Sequence, residues 1–204
     1  MSDKTIDIFN KIADEIIANK QYLTKLDSAI GDGDHGINLA RGFSEVKEEL
    51  ESADFANNSE VVKKVAMTLI SNVGGASGPL YGTAFLKASQ VMEEEPSLKN
   101  IVEIGEAVVE GIKMRGKAEL GDKTMLDAII PAVDALKEDY EAEKDLEEAL
   151  EDCLEAAEEG KENTIPLVAK KGRASYLGER SKGHQDPGAT SSCMIIKKIV
   201  EEII

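Results

Sequence analysis

Asp27, Asp32 and Asp34 lie within eight positions of one another in the stretch DSAIGDGDHG, with Gly31 and Gly33 flanking Asp32 and His35 directly after. Three carboxylates held so close repel one another unless a cation sits between them, and hard oxygen ligands suit Mg²⁺, Mn²⁺ or Ca²⁺. An EF-hand loop counted from Asp32 would need glycine where Ile37 stands and a bidentate glutamate where Phe43 stands, so that arrangement is excluded. The plainer account is a solvated, aspartate-rich turn that caps the following helix.

Three more glycine-rich stretches could bear chemistry. VGGASGP, residues 73–79, leads into a helix, where backbone N–H groups and the helix dipole favour an anion and Ser77 adds a hydroxyl. It has no lysine, so it is not a P-loop, and an ordinary tight turn would read the same way. GKAELGDKT, residues 116–124, nearly spells a Walker A motif, but Asp122 separates the second glycine from Lys123 and the preceding segment is helical. Thr124 and Met125, opening the next helix, still offer a hydroxyl and a flat apolar contact to a nucleotide; taken alone, Met125 suits a core position better. The last stretch, residues 170–192, carries Lys170, Lys171, Arg173, Arg180 and Lys182 against Glu179 alone up to Lys182, a basic loop in an acidic chain and a candidate phosphate or partner site. Asp186 and Pro187 then begin the final helix, with Asp186 suited to its N-cap. His184 has no GxSxG partner, so no hydrolytic triad is indicated. Carboxylates for a metal, glycine turns for anions and a basic loop together describe a metal-nucleotide site, and phosphoryl transfer needs little more than such positioning.

Helices must hold these loops. Apolar residues recur at three and four positions in Phe9 to Ile17, Val61 to Val73, Ile101 to Ile112, Leu126 to Val133, Leu146 to Ala157 and Ile195 to Ile204, and two further helices are expected at about 37–52 and 79–93. Sustained alternation is absent; Thr164 to Ala169 is the one candidate short strand. The expectation is one all-α domain over residues 1–204, built of about eight amphipathic helices packed antiparallel.

The 204 residues include 24 Lys+Arg against 40 Asp+Glu, a formal charge of −16 that disfavours nucleic acid and anionic membrane surfaces. Twelve of the acids fall at residues 138–159 beside a single lysine, on a segment whose apolar stripe is intact, so they read as one solvated helix face. Cys153 and Cys193 make no disulfide framework or zinc spacing. The N-terminus does not read as a signal peptide and no apolar run reaches membrane-span length, so a cytoplasmic protein is expected.

LDSAIGDGDHGINLARG (26–42), GGASGPLYGTAF (74–85), RGKAELGDKTMLDAIIPA (115–132) and GRASYLGERSKGHQDPGATSS (172–192) strongly resemble the ADP-binding L subunits of bacterial dihydroxyacetone kinases, in the same order and across essentially the whole chain. The resemblance implies a barrel of eight antiparallel helices with a nucleotide site at one end. It implies that Asp27, Asp32 and Asp34 ligate two Mg²⁺ ions and that His35, Gly36, Ile37 and Asn38 surround the phosphates. Ala76 and Ser77 would form a phosphate-binding turn, with Gly116, Thr124 and Met125 on the base and ribose side. Arg173, Gln185, Asp186 and Pro187 would belong to a lid-like last loop. It further implies that a phosphocarrier M subunit of the sugar phosphotransferase system phosphorylates retained ADP, and that the ATP formed donates to dihydroxyacetone on a separate K subunit. A homodimer is compatible with it. No residue reads as a general base or covalent substrate anchor.

Two other functions share these loops: a subunit of an ATP-dependent dihydroxyacetone kinase with exchanging nucleotide, and a non-catalytic Mg-nucleotide sensor or adaptor. Dihydroxyacetone itself comes only from the resemblance.

Overall fold

The computed structural model describes residues 2–204. Among the described residues are nine α-helices: α1 Ser2–Ala18, α2 Lys20–Ile30, α3 His35–Glu51, α4 Asn58–Asn72, α5 Ser77–Val91, α6 Leu98–Gly116, α7 Leu126–Glu141, α8 Leu146–Asn163 and α9 Pro187–Ile203, with a 3₁₀ segment Arg173–Ser181 before α9. Several starts are dictated locally. The side chains of Asn57, Ser97, Asp145 and Asp186 accept hydrogen bonds from the backbone N–H three residues on, satisfying donors that the helix itself leaves free.

Eight of the helices close a ring. α1 packs on α3, α3 on α4, and each helix thereafter on the next, until α9 returns to α1. The short links between α3, α4, α5, α6, α7 and α8 make neighbours antiparallel. Apolar stripes meet inside, where Leu39, Phe43, Leu69 and Leu126 have no accessible surface and Phe9 meets Phe85 edge-on at 5.3 Å. An up-and-down ring collects alternate termini at each end, so α3, α5, α7 and α9 all begin at the same end.

The ninth helix, α2, stands outside the ring against α3 and α9. Sequence periodicity does not reveal it, because its buried positions are only Leu23, Asp27 and Ile30, with a carboxylate in the middle of the stripe. The helices expected at 37–52 and 79–93 start two residues earlier, so His35, Gly36 and Ser77 belong to first helical turns. Among the described residues there is no strand; Thr164 to Ala169 is turn and irregular backbone.

Gly36 is where α2 comes closest. A Cβ there would lie 2.2 Å from the Lys20 carbonyl oxygen and 2.6 Å from the Thr24 nitrogen. Alanine in an open helix position would stabilise by roughly 0.5–1 kcal/mol. Here overpacking against backbone costs about 1–3 kcal/mol and outweighs that gain. Gly36→Ala should therefore lower the melting temperature by about 2–8 °C. An unchanged or raised value in a thermal scan would show that α2 is free to yield.

Candidate functional site

The shared end of α3, α5, α7 and α9 surrounds an open cavity of about 470 Å³, a size that suits a small ligand. Twelve of the sixteen residues expected at the site line it: Asp27, Asp32, Asp34, His35, Ala76, Ser77, Gly116, Thr124, Met125, Arg173, Asp186 and Pro187. His35, Ser77 and Pro187 sit in the first turns of their helices and Met125 caps α7, so four positive dipole ends border one space.

On one wall, Asp27, Asp32 and Asp34 each present a carboxylate oxygen within 4.8 Å of the others. Asp27 is buried, and its Oδ2 accepts the backbone N–H groups of Asp34 at 2.9 Å and His35 at 3.1 Å. One carboxylate thus fixes the loop that carries the other two. A side chain on Gly31 would meet Oδ1 of Asp27 at 2.1 Å, so only glycine leaves that oxygen in place. Burial, then repulsion from Asp32, raises the Asp34 carboxyl above the usual range. A fixed, buried carboxylate with two more converging on it fits a hard divalent cation.

His35 sits against this wall with both ring nitrogens engaged, one 3.0 Å from Ser77 Oγ and the other 2.9 Å from Ser191 Oγ. Burial pushes its pKa down to about 4, so the ring is neutral at pH 7, donating through one nitrogen and accepting through the other. Ser191 Oγ lies 2.6 Å from the Tyr81 hydroxyl, which also reaches Ser192 Oγ at 2.9 Å; burial pushes Tyr81 up to about 12. A buried polar chain therefore runs from the start of α5 through α3 to α9. It orients Ser77 and leaves His35 no free nitrogen for base or nucleophile duty.

Across the mouth, Arg173 Nε meets Asp32 Oδ2 at 2.8 Å. Asp186 caps α9 by accepting from Ala189 N at 2.7 Å, and complete burial pushes it up to about 7. Asp127 holds the α6–α7 connection, its two oxygens accepting from Gly121 N at 2.6 Å and Thr124 N at 2.7 Å. Lys123, from the near-Walker stretch, also borders the cavity, and its Nζ is buried among backbone carbonyls of the α8–α9 connection.

Gly36, Ile37, Asn38 and Gln185 are not on the cavity wall. Gly36 abuts α2. Ile37 is 45% exposed on the outer flank, beside Lys20 and Thr24. Asn38 supports the site from behind, its backbone N–H donating to the Asp34 carbonyl at 2.8 Å and its side chain accepting from Arg41 at 3.1 Å. Gln185 ties three helices together, accepting from Tyr22 and Thr190 and donating to Glu162. Lys123, Asp127, Tyr81 and Ser191 are the contributors that sequence reasoning passes over. Polar residues on otherwise apolar helix faces, as at Ser191 and Ser192, are the one signal that could have found any of them.

Among the described residues, no helix is long and apolar enough to cross a membrane. A family model described as the DAK2 domain matches residues 29–201. The chain is 46% identical over 201 residues to the PTS-dependent dihydroxyacetone kinase, ADP-binding subunit DhaL, of Lactococcus lactis, covering 98% of this chain and 97% of that protein. It is 44% identical over 191 residues to the PEP-dependent dihydroxyacetone kinase, ADP-binding subunit DhaL, of Escherichia coli, covering 93% and 91%. Among solved structures, the dihydroxyacetone kinase of C. freundii in complex with AMP-PNP and Mg²⁺ superposes with a TM-score of 0.71 at 27% identity, over 97% of this chain and 33% of the longer one.

Proposed function

Since the chain belongs to the DAK2-domain family, we propose that it is the ADP-binding subunit of a phosphoenolpyruvate-dependent dihydroxyacetone kinase. The observation that carries this reading is the convergence of the three carboxylates, four helix N-termini and Arg173 on one cavity, in a chain that matches such subunits nearly end to end.

Asp27, Asp32 and Asp34 would hold Mg²⁺, two ions in our reading, and the metal would neutralise phosphate charge as phosphoryl groups arrive and leave. Ala76 and Ser77 at the start of α5 donate to phosphate oxygens, with the Ser77 hydroxyl oriented by His35. Thr124, Met125 and Gly116 line the wall toward the base and ribose. Arg173 brings a guanidinium to the mouth. No side chain in the cavity is placed as a covalent intermediate or a free general base. A substrate-bearing K subunit and a phosphocarrier M subunit would therefore supply acceptor and donor, with ADP staying bound between transfers.

Denaturing the protein after purification in Mg²⁺ should release ADP in near-stoichiometric amount. Restoring the K subunit, dihydroxyacetone and the phosphorylated carrier should then give dihydroxyacetone phosphate. No released nucleotide would sink the retained-cofactor mode, and product formed only with excess free ATP would establish the exchanging mode instead.

A further inference from the structure

The side chain of Lys123 performs a task that the phosphate and metal contacts leave unexplained. It sits in the link between α6 and α7, immediately before Thr124 and Met125, with a left-handed backbone φ of 62° that non-glycine residues rarely adopt. Only 1% of it is exposed. Its Nζ lies 2.9 Å from the Thr164 carbonyl oxygen, 3.2 Å from that of Leu167, 2.7 Å from that of Ser181 and 2.6 Å from that of His184. All four carbonyls belong to the long connection from α8 to α9, the segment that brings Arg173 to Asp32.

An ammonium has three N–H donors, so this one is saturated and shared by a fourth acceptor. Seen from the connection, four carbonyl oxygens point at one buried spot. Without a cation there they would repel one another and lack partners, which buried carbonyls do not tolerate cheaply. Lys170 adds an exposed tie, its N donating to the Asp122 carbonyl at 3.0 Å and its Nζ to the Gly121 carbonyl at 3.0 Å, while inside the connection Ala169 N donates to Ser181 Oγ at 2.9 Å and Gly183 N to the Ile165 carbonyl at 2.8 Å. Lys123 thus stands where an ion would stand in a loop wrapped around a bound metal.

We infer that Lys123 is a positioning residue that pins the α8–α9 connection over the cavity and thereby sets how long the nucleotide stays bound. It borders the cavity but acts through the loop, since all four acceptors of its Nζ belong to the connection. The inference rests on the proposed ADP-binding role and adds to it the element that makes retention possible. The ammonium is the buried tie between Thr124 and Met125 on one wall and the segment bearing Arg173 on the other, with Lys170 bonding Gly121 and Asp122 at the surface.

Lys123→Met keeps the length and apolar stem but removes the charge and the donors. Stopped-flow release of a fluorescent ADP analogue, with Mg²⁺ saturating, should be at least about tenfold faster than in the unsubstituted protein, given that each hydrogen bond to a charged group is worth roughly 1.5–3 kcal/mol. Far-ultraviolet helicity and Mg²⁺ affinity without nucleotide should be unchanged, and trypsin should cut faster at Lys170, Lys171 and Arg173. Release at the original rate from a folded variant would overturn the inference while leaving ADP binding intact. Failure of the unsubstituted protein to bind the analogue would instead overturn the proposed function. Should the variant not fold, hydrogen exchange on the unsubstituted protein decides. Slow exchange at the amides of Ala169, Lys170 and Gly183 without nucleotide supports the pin, and rapid exchange there refutes it.

Discussion

Asp27→Asn should weaken Mg²⁺-dependent ADP binding about 1000-fold, on the reckoning that roughly 1.4 kcal/mol corresponds to each factor of ten. The substitution removes more than a ligand. Oδ2 of Asp27 holds the backbone N–H groups of Asp34 and His35, and the same carboxylate converges with those of Asp32 and Asp34. An asparagine carbonyl can replace one of these acceptors, but its NH₂ then faces a donor or the cation. Each hydrogen bond to a charged acceptor is worth roughly 1.5–3 kcal/mol, so losing even one and a metal ligand passes the required 4 kcal/mol or so. Asp32→Asn, on an exposed side chain outside this brace, should cost less. Calorimetry with and without Mg²⁺ measures both. Equal losses, or undiminished binding in Asp27→Asn, would contradict the assignment of Asp27 as the organising ligand.

The second large effect concerns acid. His35 is held neutral by burial with a pKa near 4, against 6.5 when free. Below pH 6.5 the unfolded chain takes up a proton that the folded chain declines until about pH 4. The His35 contribution is therefore complete above the free value, is lost as pH falls toward the folded value and is constant below it. Between pH 7 and pH 4 the loss is about 3 kcal/mol. His35→Gln lacks this component and retains groups able to bond Ser77 and Ser191. In urea titrations of the metal-free protein, the parent should lose about 3 kcal/mol more than the variant over that interval. Parallel curves would mean that the ring is hydrated and its hydrogen bonds to the two serines are not maintained.

How far the sequence discloses this site depends on the range of the interactions involved. The ring helices with unbroken apolar stripes are legible, as is the start at Asp186, because caps and periodicity act over a few residues. Helix α2 is not, since its stripe holds Asp27, a residue kept for the cavity and not for the core. Twelve candidate site residues meet at one end because glycine loops bearing acids and hydroxyls have few other uses on a helical scaffold. Gly36, Ile37, Asn38 and Gln185 neighbour those residues in sequence but face outward or between helices, a distinction set by helix phase. The role of Lys123 is invisible in one dimension. It depends on which carbonyls a loop some forty to sixty residues away turns inward, and rejecting the near-Walker spacing leaves Lys123 without a role in one dimension.

The twelve acids of residues 138–159 begin at the end of α7 remote from the cavity, since the 16 residues of that helix span about 24 Å, and run back along α8 until Gly160 packs on the Asp127 carbonyl. Lys171 and Arg173 of the basic connection lie at the cavity mouth. The charge of −16 is thus spread unevenly, with an acidic flank along α8 and a few cations beside the mouth. An approaching anionic protein is repelled least where those cations face it, and salt weakens the bias over the Debye length. A subunit that repels anions on average can still receive them face first.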